Sequence, residues 1–159
     1  MANLTRKLLT LALIKDGQRV LLGYKKRGFG EGKWNMFGGK VEKGETPEYA
    51  AIREVKEESG LEVIGGVEQI GDLEFTFDGE DFLMHVLVFQ ARGFSGTPAE
   101  SEEMRPQWYQ IEDIPYSKMW KDDEFWYPIA LRGGKFKGKF HFQGHEVILN
   151  HTLEEVEHF

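Results

Sequence analysis

Short apolar runs recur from Leu8 to Leu153, broken by glycine, proline and clustered acidic residues, and their spacing predicts elements before any chemistry is considered. Leu8 to Ile14 reads as a strand, Lys15-Asp16-Gly17-Gln18 as a turn and Arg19 to Gly23 as a second strand, which together predict a hairpin. Thr46-Pro47-Glu48 opens a helix: threonine caps, proline tolerates the first helical position, and glutamate suits the positive end of the dipole. Gly60 supplies the stop. Between them Ile52, Val55 and Ser59, with Ala51 four before Val55, form a narrow apolar stripe fit to dock on a sheet. Val67 to Phe77 and Phe82 to Ala91 flank Asp78-Gly79-Glu80-Asp81 as a long hairpin, with Leu73, Phe75 and Phe77 alternating onto one face. Gln107 to Ile111 reads as a strand, Asp122 to Leu131 as a second amphipathic helix, and Phe140 to Phe142 with Glu146 to Leu149 as a last pair of strands.

Strands outnumber helices and come mainly as hairpins. The fold class is therefore α/β of the α+β kind, a mixed β-sheet flanked by α-helices on its two sides, an α/β/α sandwich and not a doubly wound sheet. With 159 residues and no repeat or Pro/Ser-rich linker, a single domain over 1–159 is expected. The absence of cysteine excludes disulfides, a zinc–thiolate site and a thiol nucleophile. Met1 to Thr10 carries two basic residues before an apolar run that breaks at Lys15-Asp16-Gly17, too short for a secretory leader or a membrane span. A cytoplasmic monomer without membrane contact is expected, a share in nucleus or mitochondria being left open. The net charge of −7 argues against binding a nucleic-acid polymer, but carboxylates bridged by divalent metal to a polyphosphate remain compatible with it.

The chemistry concentrates in two places. A basic, glycine-rich loop from Lys25 to Gly30 leads through Trp34-Asn35-Met36-Phe37 to Gly38-Gly39, a composition suited to anion contact. On the helix that follows, Glu54 shares a face with both Glu57 and Glu58, three and four residues on. Stacked carboxylates repel unless a cation sits among them, and hard oxygen donors are what Mg²⁺ requires. Arg53 can orient one of them by bidentate bonding, with Glu45 as a partner from the loop. The plain alternative is a solvated acidic helix face, which Arg53 and the flanking glycines disfavour.

These residues stand in the order G-KVEKG-E-TPEYAAI-REV-K-EE-S-GL from Gly39 to Leu61, matching every fixed position of the Nudix box, Gx5Ex7REUxEExGU. The chain thus resembles the Nudix hydrolases. That resemblance implies the Nudix fold and Mg²⁺-dependent attack on a diphosphate linkage, with Mn²⁺ as a substitute metal. Gly38, Glu54, Glu57 and Glu58 would be metal ligands, and Glu58, Glu54, Glu57 and Arg53 would form the catalytic set. Glu58 is preferred for orienting or deprotonating water, although sequence does not separate the roles of the three helix glutamates.

Outside the box, VLLGYKKRGFGEGKWNMFGGKVEKGET, the FTF at Phe75 and Phe77, GTPAESEEMRPQWYQ and IPYSKMWKDDEFWYP resemble the eukaryotic MutT-homologue group, oxidised purine nucleoside triphosphate hydrolases acting on 8-oxo-dGTP and 2-hydroxy-dATP. The resemblance implies that Asp122 and Asp123 bind the base edge, Trp120 stacks on its face, Trp126 walls the pocket and Asn35 bonds the opposite edge. Thr10 and Lys25 would lie near sugar and phosphates. Phe29, Phe75, Met84 and Met104 would shape the floor, and Phe37, Gly38, Gly39 and Lys40 would complete the substrate contacts. Glu103 would join the metal site, ahead of Glu102. Lys121 departs from the proline common in that group, which bears on loop stiffness. An Asp-Asp helix cap and core tryptophans are the structural alternatives. The rival functions are a Nudix hydrolase of a methylated purine triphosphate, ADP-ribose or a dinucleoside polyphosphate, and a non-catalytic nucleotide-binding module, against which the complete set of box glutamates speaks.

Overall fold

The computed structural model describes residues 3–159; Met1 and Ala2, which the leader and single-domain expectations include, lie outside the described residues. The chain runs β1 (Thr5–Leu13), β2 (Lys15–Asp16), β3 (Arg19–Lys25), β4 (Trp34–Asn35), α1 (Pro47–Ser59), β5 (Glu62–Phe77), β6 (Phe82–Ser95), β7 (Met104–Gln110), α2 (Asp123–Leu131), β8 (Lys135–Gln143) and β9 (Val147–Val156). A five-stranded sheet has the order β1-β6-β5-β8-β9, parallel at β1/β6 and β5/β8 and antiparallel elsewhere. In a second sheet β3 is flanked by β7 on one edge and by β2 and β4 on the other.

The hairpin expected between the first two strands shrinks to Lys15–Asp16 pairing with Arg19–Val20. β1 instead lies parallel to β6, with Thr5 opposite Phe82 and Leu13 opposite Gln90. Its other edge is covered by the glycine segment: Thr10 N–H donates to the Gly39 carbonyl (2.9 Å) and Val41 N–H to the Leu8 carbonyl (3.0 Å). A strand segment apolar at almost every position can be covered on both faces, and the Leu8 to Leu13 part of β1 uses this. Leu9, Leu11 and Leu13 join the larger core, while Ala12, with Ile14 just beyond, joins a second core around Val55 and Leu61. α1 packs against β1, β5 and β7, and α2 against β8 and β9, giving the mixed-sheet sandwich expected from the pattern.

Helix α1 begins and ends where its punctuation places it. Thr46 Oγ1 accepts from Tyr49 N–H (3.1 Å), and Gly60 closes the helix at φ 79°. Its buried face is Ala50, Ala51, Val55, Glu58 and Ser59, whereas Ile52 of the expected stripe is only half-buried. β5 starts earlier than Val67 because Gly65 (φ 79°) and Gly66 (φ 77°) turn a break into a bulge, and pairing with β6 resumes beyond it.

Candidate active site

One cavity of about 430 Å³ opens between β1, β6, the Gly38-Gly39 segment and the start of α2. Thr10, Lys25, Phe29, Asn35, Gly38, Gly39, Lys40 and Glu58 all reach its wall, as do Phe75, Met84, Met104, Trp120, Asp122 and Asp123. Two expected substrate contacts do not, and Arg53, Glu54, Glu57 and Glu103 of the expected catalytic and metal set lie outside its lining. Phe37 is wholly buried in the second core with Ala12, Val55 and Leu61, because the short strand ends at Asn35 and its alternation does not carry on: Asn35 and Met36 both meet the cavity and the Phe37 ring packs away from it. Trp126 is wholly buried behind the cavity and touches it only through Asp122. The wall also includes Lys7, Leu9, Leu11, Phe82 and Val86, which no motif marks. Their signal is alternation: Lys7 and Leu9 face Met84 and Val86 in the parallel register, so one face of two strands supplies them.

At one end stand the box residues. Arg53 grips Glu45 through both carboxylate oxygens (2.7 and 3.1 Å), reaches Glu54 (2.9 Å) and Glu57 (3.2 Å), and donates to the Lys40 carbonyl (3.1 Å). Arg53 in turn holds the Glu45 carboxyl below the usual range. The three helix glutamates differ in setting: Glu57 is exposed, Glu54 is half-buried, and Glu58 is only 5 % exposed. Burial pushes Glu58 up to about 8, against the pull of its hydrogen bond from Gly38 N–H (2.9 Å); the charges of Glu54 and Glu103 add to the rise and Lys25 opposes it. Burial likewise raises Glu54, with Arg53 opposing.

The two glycines are required sterically. A Cβ on Gly38 would overlap the Thr10 carbonyl, and one on Gly39 would fall 2.6 Å from Glu54 Oε1. Glu103 bonds Lys25 (3.0 Å) and Arg27 (2.8 Å), and Lys25 foremost lowers its carboxyl, while Glu102, 86 % exposed in its side chain, accepts only from Arg27 at the surface (3.3 Å).

Among the described residues no three His, Cys, Asp or Glu side chains already converge on one point. Arg53 draws Glu54 and Glu57 to itself. The donors nevertheless fit a hard divalent cation, being all oxygen, and buried Glu58 lacks a cationic hydrogen-bond partner while lying in the field of two other carboxylates.

At the other end lie Asp122 and Asp123, both buried. Asp122 occupies the N-cap of α2 but makes no cap bond; its Oδ2 accepts from the Trp126 indole N–H at 2.7 Å. The capping alternative therefore does not account for this carboxylate. Burial raises Asp122 to about 6 and, with the Asp122 charge beside it, raises Asp123 well above the usual range. Two like charges side by side in a buried site favour the uptake of one proton by the pair, so that one acid can donate while its neighbour accepts. Asn35 Oδ1 accepts from Met36 N–H (2.8 Å) and from the Tyr127 hydroxyl (3.4 Å), which leaves its Nδ2 to donate. Among the described residues the buried side-chain polar atoms without a partner are Thr10 Oγ1 and Asp123 Oδ2, and both residues line this cavity. Unpaired buried polar atoms are costly and mark where a ligand would complete the bonding.

A carboxylate-bearing helix with an arginine clamp is thus joined through one cavity to a pocket that holds two buried acids. The chain belongs to the NUDIX domain family, whose model matches residues 5–128. It is 58% identical to the oxidized purine nucleoside triphosphate hydrolase of Danio rerio over 96% of this chain and 97% of the relative. It is 52% identical to the oxidized purine nucleoside triphosphate hydrolase of Mus musculus, over 98% and 99%. Its fold superposes on a crystal structure of the Mutator MutT protein from Bacillus halodurans with a TM-score of 0.82 at 25% identity, covering 93% of this chain and 97% of that one.

Proposed function

We propose that this enzyme hydrolyses oxidised purine nucleoside triphosphates, 8-oxo-dGTP, 2-hydroxy-dATP and related ribonucleotides, to the monophosphate and pyrophosphate, clearing mutagenic precursors from the nucleotide pool. The observation that carries this reading is the buried Asp122–Asp123 pair, one acid bonded by the Trp126 indole and the other with an unpaired oxygen, in the same cavity as Glu58 and Gly38-Gly39. The activity named for the Danio rerio and Mus musculus relatives agrees with it.

In this pocket Asp122 accepts a base N–H while Asp123 donates to a base oxygen or nitrogen, and Asn35 bonds the opposite edge. Moving the proton between the two acids exchanges donor and acceptor, which lets one pocket take oxidised guanine and oxidised adenine, whose edges differ. Trp120 stacks on the base, Phe29, Phe75, Met84 and Met104 enclose it, and Thr10 with Lys25 and Lys40 lines the path to the phosphates. Glu54, Glu57 and Glu58, with the Gly38 carbonyl and Glu103, would hold Mg²⁺, with Mn²⁺ as a substitute. Bound there, the metal would neutralise phosphate charge and favour a nucleophilic hydroxide. Arg53 holds Glu54 and Glu57 in place, and Glu58, which a cation among these carboxylates would return to the charged form, takes the proton of the water that attacks the α-phosphorus. The bond from that phosphorus to the bridging oxygen breaks, and Lys25 steadies the charge on the departing pyrophosphate. The enzyme acts as a cytoplasmic monomer on free nucleotides, needing neither a nucleic-acid polymer nor a membrane.

The test is turnover, with Mg²⁺, of 8-oxo-dGTP, 2-hydroxy-dATP, a methylated purine triphosphate, ADP-ribose and a dinucleoside polyphosphate, with product identification. Highest kcat/KM on the two oxidised purines, with pyrophosphate released, supports the reading. A preference for ADP-ribose or the dinucleoside polyphosphate overturns it.

A further inference from the structure

Beyond the paired acids, the base end of the cavity is closed by contacts among three stretches of chain remote in sequence. Lys33, before β4, is only 14 % exposed in its side chain, an unusual setting for lysine unless paired. Its Nζ lies 2.6 Å from Glu146 Oε1 and 5.3 Å from the centre of the Trp120 ring. Glu146 sits in the turn between β8 and β9, and its Oε2 stands 3.9 Å from Nζ of Lys121, the residue after Trp120. His145, beside Glu146, packs on Trp120 (4.8 Å between ring centres), Phe29 (5.0 Å) and Phe77 (5.9 Å). Phe29 stacks on Trp120 at 5.2 Å and 21°. One carboxylate thus faces two lysines, one over the Trp120 ring and one next to Trp120 in the chain.

We propose that Lys33 and Glu146 are positioning residues for base recognition, forming an ionic strap that ties the Lys25–Lys33 loop and the β8–β9 turn across Trp120 and fixes the face it offers to the purine. Trp120 is half-buried on the stretch between β7 and α2, outside both sheets, so ladder bonds do not fix it. A cation over an indole and a carboxylate shared by two lysines supply that constraint, because each restricts the ring without occupying the cavity. The field of Lys33 also reaches Asp123, where it opposes the other causes of its raised carboxyl, so the strap borders the paired acids directly.

This inference rests on the substrate reading above, and the experiment separates the two. Steady-state kinetics with 8-oxo-dGTP are measured on the parent and on Lys33→Met, Lys33→Arg, Glu146→Gln and Glu146→Asp, with thermal denaturation of each. Turnover of 8-oxo-dGTP by the parent is the control for the substrate reading. If the parent turns it over, the strap predicts that Lys33→Met and Glu146→Gln raise KM by about threefold to tenfold while kcat moves less than about twofold. It further predicts that Lys33→Arg and Glu146→Asp stay near the parent, and that all melting temperatures agree within a few degrees. An active parent with unchanged KM in Lys33→Met and Glu146→Gln overturns the strap, as does a KM rise matched by loss of thermal stability. An inactive parent overturns the substrate reading instead.

Discussion

Glu58 and Asp123 are both buried acids, and burial sets their pKa values in the same direction for different ends. Glu58 faces the phosphate end with one hydrogen bond from Gly38, so Glu58→Gln keeps the shape and loses proton transfer. Its kcat should fall by roughly 10²–10⁴-fold with KM little changed, and an unimpaired rate would remove Glu58 from the mechanism. The aspartates should separate by base: Asp122→Asn and Asp123→Asn shift the 8-oxo-dGTP to 2-hydroxy-dATP activity ratio in opposite directions, and equal losses on both substrates would contradict the shared-proton account. Stability follows too. The unfolded chain releases the Asp123 proton near pH 4 while the folded chain keeps it, so the parent loses stability as pH rises above that point. Asparagine does not titrate, so the melting temperature of Asp123→Asn relative to the parent should climb from pH 4.5 to pH 7; a pH-independent difference would refute the buried protonated acid.

At the scale of elements, α1 was the most legible part of the chain because its boundaries are written in local chemistry. Thr46→Ala removes the bond to Tyr49 N–H and should cost about 1 kcal/mol in denaturant unfolding, whereas a cost near zero would show that the cap is dispensable. Gly38→Ala should be far worse, since its Cβ meets the Thr10 backbone and must part β1 from the glycine segment. The site residues on α1 and in the glycine segment were readable because spacing along one helix and one turn fixes them. Pairings between distant strands were not. Nothing local to Leu8–Leu13 names Phe82–Gln90 as its parallel partner, so the wall residues Lys7, Leu9, Phe82 and Val86 escaped notice along with the register that gathers them. Phe37 and Trp126 carried the right residue types but the wrong facing, which only packing decides. The strand expected from Val67 begins at Glu62, because the Gly65-Gly66 pair makes a bulge that interrupts the ladder without ending it. Lys121, which stands where the resembling group commonly has proline, faces Glu146 at 3.9 Å.

The whole molecule joins two recognition ends across one cavity while its two cores lie on opposite faces of the main sheet. Neither core depends on a metal, so EDTA should abolish turnover and leave the far-ultraviolet spectrum and melting temperature nearly unchanged, with Mg²⁺ restoring activity; loss of fold on chelation would show a structural metal instead. Among the described residues no helix is long and apolar enough to cross a membrane. In the proposed function, selection of the base falls to the Asp122–Asp123 end and cleavage to the Glu58 end. The most direct test of this union is a competition assay in which 8-oxo-dGTP and dGTP are offered together with Mg²⁺ and the two monophosphates are quantified. The account predicts a ratio of kcat/KM values favouring 8-oxo-dGTP by roughly tenfold or more, as expected of a pocket built from hydrogen-bonding groups. Equal consumption of the two nucleotides would contradict it.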